Sequence, residues 1–195
     1  MRTIAAAFAA LLPLFAFAQD EAGRQSFPGF SLVPPQGEAW TLAARGENSL
    51  LWTRDTGDPE RSFTFAVVAG QAPASVRSRE DLVRFIEALS AAPPPSPNLQ
   101  IISSTARPVE QGAAGSCARH EATIKETGEG TVLAVTGVIC LHPDFPGRMF
   151  DVQFTQRGSA ESMDEALDRE GEALIRSFRF ETAPEDDDWS LAGGG

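Results

Sequence analysis

Apolar and polar residues alternate with period two over several stretches of this chain and recur at helical spacing in two others. In RSFTFAVVAG, Phe63, Phe65 and Val67 fall on one face at every second position, as in a half-buried strand. The turn Thr56-Gly57-Asp58-Pro59 joins this run to SLLWTRD (Ser49 to Asp55), so the two stretches predict a hairpin. Earlier, Phe30 and Leu32 flank Ser31 before Pro34-Pro35 and Gly37 end a short strand. Four more strands are predicted at LQIISSTARPVE, Ser116 to Glu126, Thr131 to Leu141, and Arg148 to Gln156. In the last, Phe150, Val152 and Phe154 alternate with Asp151, Gln153 and Thr155, the pattern of a sheet wet on one face.

Helical spacing appears at Leu82, Phe85, Ile86 and Leu89, behind Ser78 as N-cap with Asp81 three residues on. Pro93-Pro94-Pro95 ends that helix, and residues 93–98 read as a stiff loop within one domain. A second helix is predicted from about Glu161 to Phe178, with the stripe Met163, Leu167, Gly171, Leu174 and Phe178 and a capping box at Ser162 and Glu165. The order β-β-β-α-β-β-β-β-α predicts an α+β fold: a mainly antiparallel sheet of six to seven strands with two helices packed on it.

The first residues change where such a domain is expected to work. MRTIAAAFAALLPLFAFAQD has a positive start at Arg2, an apolar run and Ala16-Phe17-Ala18, so residues 1–18 read as a signal peptide cleaved near Ala18-Gln19. The run is shorter than the ~20 residues of a spanning helix, and no later stretch is apolar enough to span. The expected location is the periplasm or the exterior. Residues 19–180 then form a single domain, and residues 181–195, acidic and ending in three glycines, read as a disordered tail in which Trp189 is a candidate docking element.

Composition is ordinary for a globular chain, with 42% hydrophobic and 22% charged residues. Net charge is −11, and loss of Arg2 with the leader makes it −12. Such a surface repels phosphate backbones and anionic lipid, so nucleic acid and membrane surfaces are not expected partners.

Both cysteines and both histidines lie in SCARHEATIKETGEGTVLAVTGVICLH, residues 116 to 142. A hairpin symmetric about Thr127-Gly128-Glu129-Gly130 sets Cys117 directly opposite Cys140, where cross-strand Cβ atoms are ~4.5 to 5.5 Å apart. A four-residue loop puts the pair at a non-hydrogen-bonded site, where side chains approach closest; a two-residue loop reverses that. His120 is three residues from Cys117 and so points to the other face of a strand, which leaves too few ligands for structural zinc. In an oxidising compartment the two thiols point to a disulfide, with no metal and no cofactor expected.

Other chemistry is sparse. No nucleophile elbow, phosphate loop, dinucleotide fingerprint or zincin motif occurs, and His120-Glu121 lacks the second histidine a zincin needs. Glu121 and Asp151 are available carboxylates, and Trp40 and Trp52 read as core residues before they read as ligand platforms. His120, opposite Gly137, reads as a hydrogen-bonded structural histidine. The loop His142-Pro143-Asp144-Phe145-Pro146-Gly147, following a core strand, offers His142, Asp144 and Arg148 as candidate ligand-binding residues.

Phe30, Leu32, Pro35, Gly37 and Trp40 near the start, with Ala173-Leu174-Ile175-Arg176-Ser177-Phe178 closing the second helix, resemble PsbP-like domains in element order. Cys117 with Cys140-Leu141-His142-Pro143 is similar to exported proteobacterial envelope proteins that carry a cysteine before and Cys-x-His-Pro after a hairpin. The first resemblance implies an α/β sandwich acting as an interaction scaffold; neither carries catalytic residues. The expectation is a non-enzymatic periplasmic module binding an envelope protein or a small ligand. The alternative is a carboxylate-based hydrolase with its site near residues 142–148.

Overall fold

The computed structural model describes residues 23–94, 96–111, 115–128, 130–182 and 189–191. The expected leader (1–18), and residues 183–188 and 192–195 of the expected tail, lie outside them. Strands β1 (Gln25–Phe27), β2 (Phe30–Leu32), β3 (Trp40–Arg45), β4 (Ser49–Arg54) and β5 (Ser62–Gln71) precede helix α1 (Arg79–Ala91). Then follow β6 (Leu99–Gln111), β7 (Gly115–Glu126), β8 (Val132–Leu141), β9 (Arg148–Gly158), helix α2 (Glu165–Ser177) and β10 (Arg179–Phe180). Seven strands form one antiparallel sheet in the order β3-β4-β5-β9-β8-β7-β6, and β1, β2 and β10 form a second. The α+β architecture expected from the alternation is therefore present.

The two helices take opposite faces of the large sheet. Leu167, Leu174 and Ile175 of α2 join Phe65, Val67, Phe150, Val152 and Phe154 in the main core, which the small sheet closes with Phe30 and Leu32. Rings of Phe30, Phe150 and Phe178 lie 5.1 to 5.9 Å apart at its centre. On the other face Leu82 and Ile86 of α1 pack over Ala118, Ile139 and Leu141. Because β9 is covered on the first face and only partly on the second, Asp151, Gln153 and Thr155 are half-buried and not fully wet.

Three details depart from the sequence pattern. Strand β3 has no period-two alternation and few β-branched residues; it exists because β4 offers it a ladder, bulged between Leu42 and Ala44. Helix α2 begins at Glu165, capped by Asp164, whose Oδ1 accepts from the N–H of Ala166 and Leu167. The expected cap, Ser162, sits instead in a one-turn 3₁₀ segment and donates to Ser159 O at 2.9 Å. In α1 Ser78 does cap, accepting from Asp81 N–H at 3.1 Å. Leu89 of the expected stripe is 55% exposed, while its neighbour Ser90 is the residue of that turn that meets β6, through Ser104 at 2.7 Å.

The turn after β7 settles the parity of the cysteines. Glu126 N–H bonds Thr131 O at 2.9 Å around a four-residue loop, so Cys117 and Cys140, opposite each other, occupy a non-hydrogen-bonded pair. They are disulfide-bonded, with Cα atoms 4.1 Å apart, and the bridge is buried in the main core. Trp40 and Trp52 are buried there too; Trp40 Nε1 donates to Glu170 Oε1 at 2.8 Å.

Candidate functional site

The loop from His142 to Gly147 joins β8 to β9 and is pinned at both ends. His142 N–H bonds Arg148 O at 2.9 Å, Arg148 N–H bonds Phe145 O at 2.9 Å, and Ala72 N–H bonds Gly147 O at 3.0 Å. The first and third of these bonds extend the β8–β9 and β5–β9 ladders and the second closes a turn within the loop, so the loop is tied to the sheet at both ends.

His142 is 1% exposed and turned inward. Its Nε2 lies 3.0 Å from Glu181 O and 3.2 Å from Gly29 O, and its Nδ1 is 3.2 Å from Asp144 N–H. Two carbonyls on one side and an N–H on the other assign Nε2 as donor and Nδ1 as acceptor. Both ring nitrogens are thus used, and the imidazole ties β10 and the β1–β2 turn to the loop. Phe180 and Trp189 meet it edge-on at 5.2 and 5.3 Å.

Trp189 is the feature that local pattern did not anticipate. Within the stretch expected to be a disordered tail, Trp189 and Leu191 are 9% and 1% exposed and belong to the main core. Leu191 N–H bonds Glu47 O at 2.7 Å. The indole fits against Gly29, where any side chain would overlap its ring. An aromatic and an aliphatic residue separated by one position suffice to hold a terminus when a preformed groove receives both.

Beside Trp189 lies an open recess of about 620 Å³, lined by Glu47, Asn48, Gln71, Phe145, Arg148 and Trp189 among others, with Gln71 directly across the β5–β9 ladder from Arg148. The Arg148 guanidinium sits 5.3 Å from the Trp189 ring centroid and donates from Nη2 to Asn48 Oδ1 at 3.0 Å. Its Nε–H and the Trp189 Nε1–H are buried without a hydrogen-bond partner. Burial pushes the Arg148 pKa down, and no carboxylate among the described residues pairs with it. Phe145, stacked on Trp189 at 5.4 Å, remains 41% exposed at the mouth.

Of the three candidate ligand-binding residues, Arg148 lines this recess, His142 lies behind it, and Asp144 is exposed on the loop outside the lining. Glu47 is the carboxylate of the described lining, so no acidic pair is assembled there. Glu121 and Asp151 are also apart, on opposite faces of the sheet. Glu121 pairs with Arg119 at 2.7 Å, while Asp151 Oδ1 lies 3.0 Å from His120 Nε2. Among the described residues no group of three or more His, Cys, Asp or Glu could hold a metal ion, and no helix is long and apolar enough to cross a membrane.

The fold has a solved counterpart. The chain is similar to LpqN of Mycobacterium tuberculosis, a protein involved in cell envelope biogenesis, with a TM-score of 0.52 and 14% sequence identity. The likeness covers 80% of this chain and 86% of that one. No family model and no curated protein matches, and the expected resemblance to PsbP-like domains is not confirmed.

Proposed function

We propose that the protein is a non-enzymatic binding module of the cell envelope, working in the periplasm or outside the cell, and that it holds a small polar ligand in the recess beside Trp189. One observation carries the reading: a partly buried arginine without a carboxylate partner stands in the wall of an open recess, next to an exposed aromatic ring. A buried guanidinium is costly unless its charge and donors are matched, and a ligand anion supplies what the described protein groups do not. The buried Cys117–Cys140 bridge and the leader-like start support an oxidising location. Likeness in fold to an envelope protein agrees with it.

Native mass spectrometry of the exported, oxidised protein tests this. A co-isolated small molecule that is lost in Arg148→Gln is the expected result. An exported protein that carries no small molecule, and whose Tm no envelope metabolite raises, would end the proposal; stoichiometric capture of an envelope protein in its place would do the same.

A further inference from the structure

The chemistry of the recess narrows the ligand class, an argument that rests on the recess being a binding site. Arg148 is the one cation in the described lining, and its contact with Trp189 holds the guanidinium in place. A fixed guanidinium matches the two coplanar oxygens of a carboxylate better than a point charge does. The polar groups beside it are different in kind: Gln71 pairs with Arg148 across β5 and β9, and Asn48 is bonded to the guanidinium. Gln71 presents an amide that both donates and accepts, Asn48, whose Oδ1 already accepts from Arg148, offers its N–H donors, and Glu47 presents a carboxylate that accepts only. Hydroxyl groups satisfy all three, whereas a second negative charge on the ligand would meet Glu47 and be repelled. At the mouth, Phe145 offers an apolar ring braced from behind by Trp189, which suits the C–H face of a saturated ring.

We infer that the recess takes a singly charged, polyhydroxylated carboxylate of the sugar-acid class, with its carboxylate on Arg148, its hydroxyls toward Asn48, Gln71 and Glu47, and its C–H face on Phe145. The arrangement requires both halves of the ligand. A neutral sugar leaves Arg148 unmatched, and a polyanion is opposed by Glu47.

The test is titration of the full oxidised protein with galacturonate, galactose, citrate and inorganic phosphate, followed by calorimetry and by the indole N–H resonance of Trp189. Galacturonate is expected to bind and shift that resonance, with galactose and citrate at least about tenfold weaker. Arg148→Gln should weaken galacturonate binding by about tenfold or more, and Glu47→Gln, at an exposed site, should strengthen citrate binding. The Glu47 variant keeps the test decisive should the Arg148 variant fold poorly. Galactose binding as tightly as galacturonate with the same shift would overturn the sugar-acid assignment while leaving the recess as a site. Citrate or phosphate binding equally well would overturn it in favour of an unselective anion site. No shift of Trp189 with any probe would overturn both this assignment and the recess itself.

Discussion

His120 on β7 and Asp151 on β9 are joined across the strand between them: Nε2 lies 3.0 Å from Oδ1, and the imidazole passes over Gly137 of β8. The crossing is possible because position 137 has no side chain. A Cβ there would lie 2.5 Å from His120 Nε2 and 2.9 Å from Gln153 Cβ. Gly137→Ala should therefore eject the ring and destabilise the protein by about 1 to 3 kcal/mol. Urea denaturation is the check, and His120→Ala in the same background should recover part of the loss by removing the clash.

The bridge between Cys117 and Cys140 closes a sequence separation of 23 residues inside one hairpin. Loop-closure arithmetic assigns it about 3 kcal/mol. Replacing both cysteines by alanine should lower the unfolding free energy measured in urea by about that much while far-ultraviolet dichroism is retained, because the ladder of β7 and β8 survives without it.

Gly171 in α2 sits against the ring of Phe154, which is 2% exposed and has nowhere to move. Alanine is the better helix former by about 1 kcal/mol, yet overpacking costs about 1 to 3 kcal/mol. Steric overlap should win, and Gly171→Ala should be net destabilising by thermal melting. A gain in Tm would show that α2 can lift from the sheet.

Trp189 and Leu191, beyond β10, are part of the main core. Leu191→Ala should cost about 2 to 4 kcal/mol, the range for a fully buried leucine. Removing residues 183–195 should cost more and expose the Phe150 and His142 cluster, read as increased binding of a hydrophobic dye.

The Arg119 guanidinium on β7 grips Glu172 on α2, with Nη1 to Oε2 at 3.0 Å, and holds the Glu172 carboxyl below its usual range. A depressed folded-state pKa contributes stability that is present above the unfolded value and lost as pH falls through the folded one. Stability should thus decline on acidification below about pH 4.5. Glu172→Gln should cost about 1 kcal/mol at neutral pH and flatten that decline. An unchanged acid limb in the variant would assign the loss to other carboxylates.

The hairpin of β7 and β8 was legible because its symmetry is local: one turn sets every opposing pair, Cys117 with Cys140 and His120 with Gly137 included. Phe63, Phe65 and Val67 were legible for the same reason, since alternation reports the buried face of a strand wherever that strand is placed. Strand β3 was not, because its residues have no strong preference and its partner supplies the order. Among the candidate ligand residues, Arg148 could be picked out as a charge beside a rigid loop, but the inward turn of His142 depended on carbonyls of Gly29 and Glu181, distant in the chain.

By itself the amino-acid order determined the α+β class, the strand-rich pairing, the first helix with its Ser78 cap, and the disulfide, all of which follow from periodicity and turn chemistry over short spans. Only the tertiary structure decided that the helices lie on opposite faces, that Asp164 starts the second, and that Trp189 returns to build one wall of the recess. Those outcomes come from shape complementarity and burial between segments far apart in the chain, Trp189 against Gly29 above all, and local propensity carries no record of a distant surface.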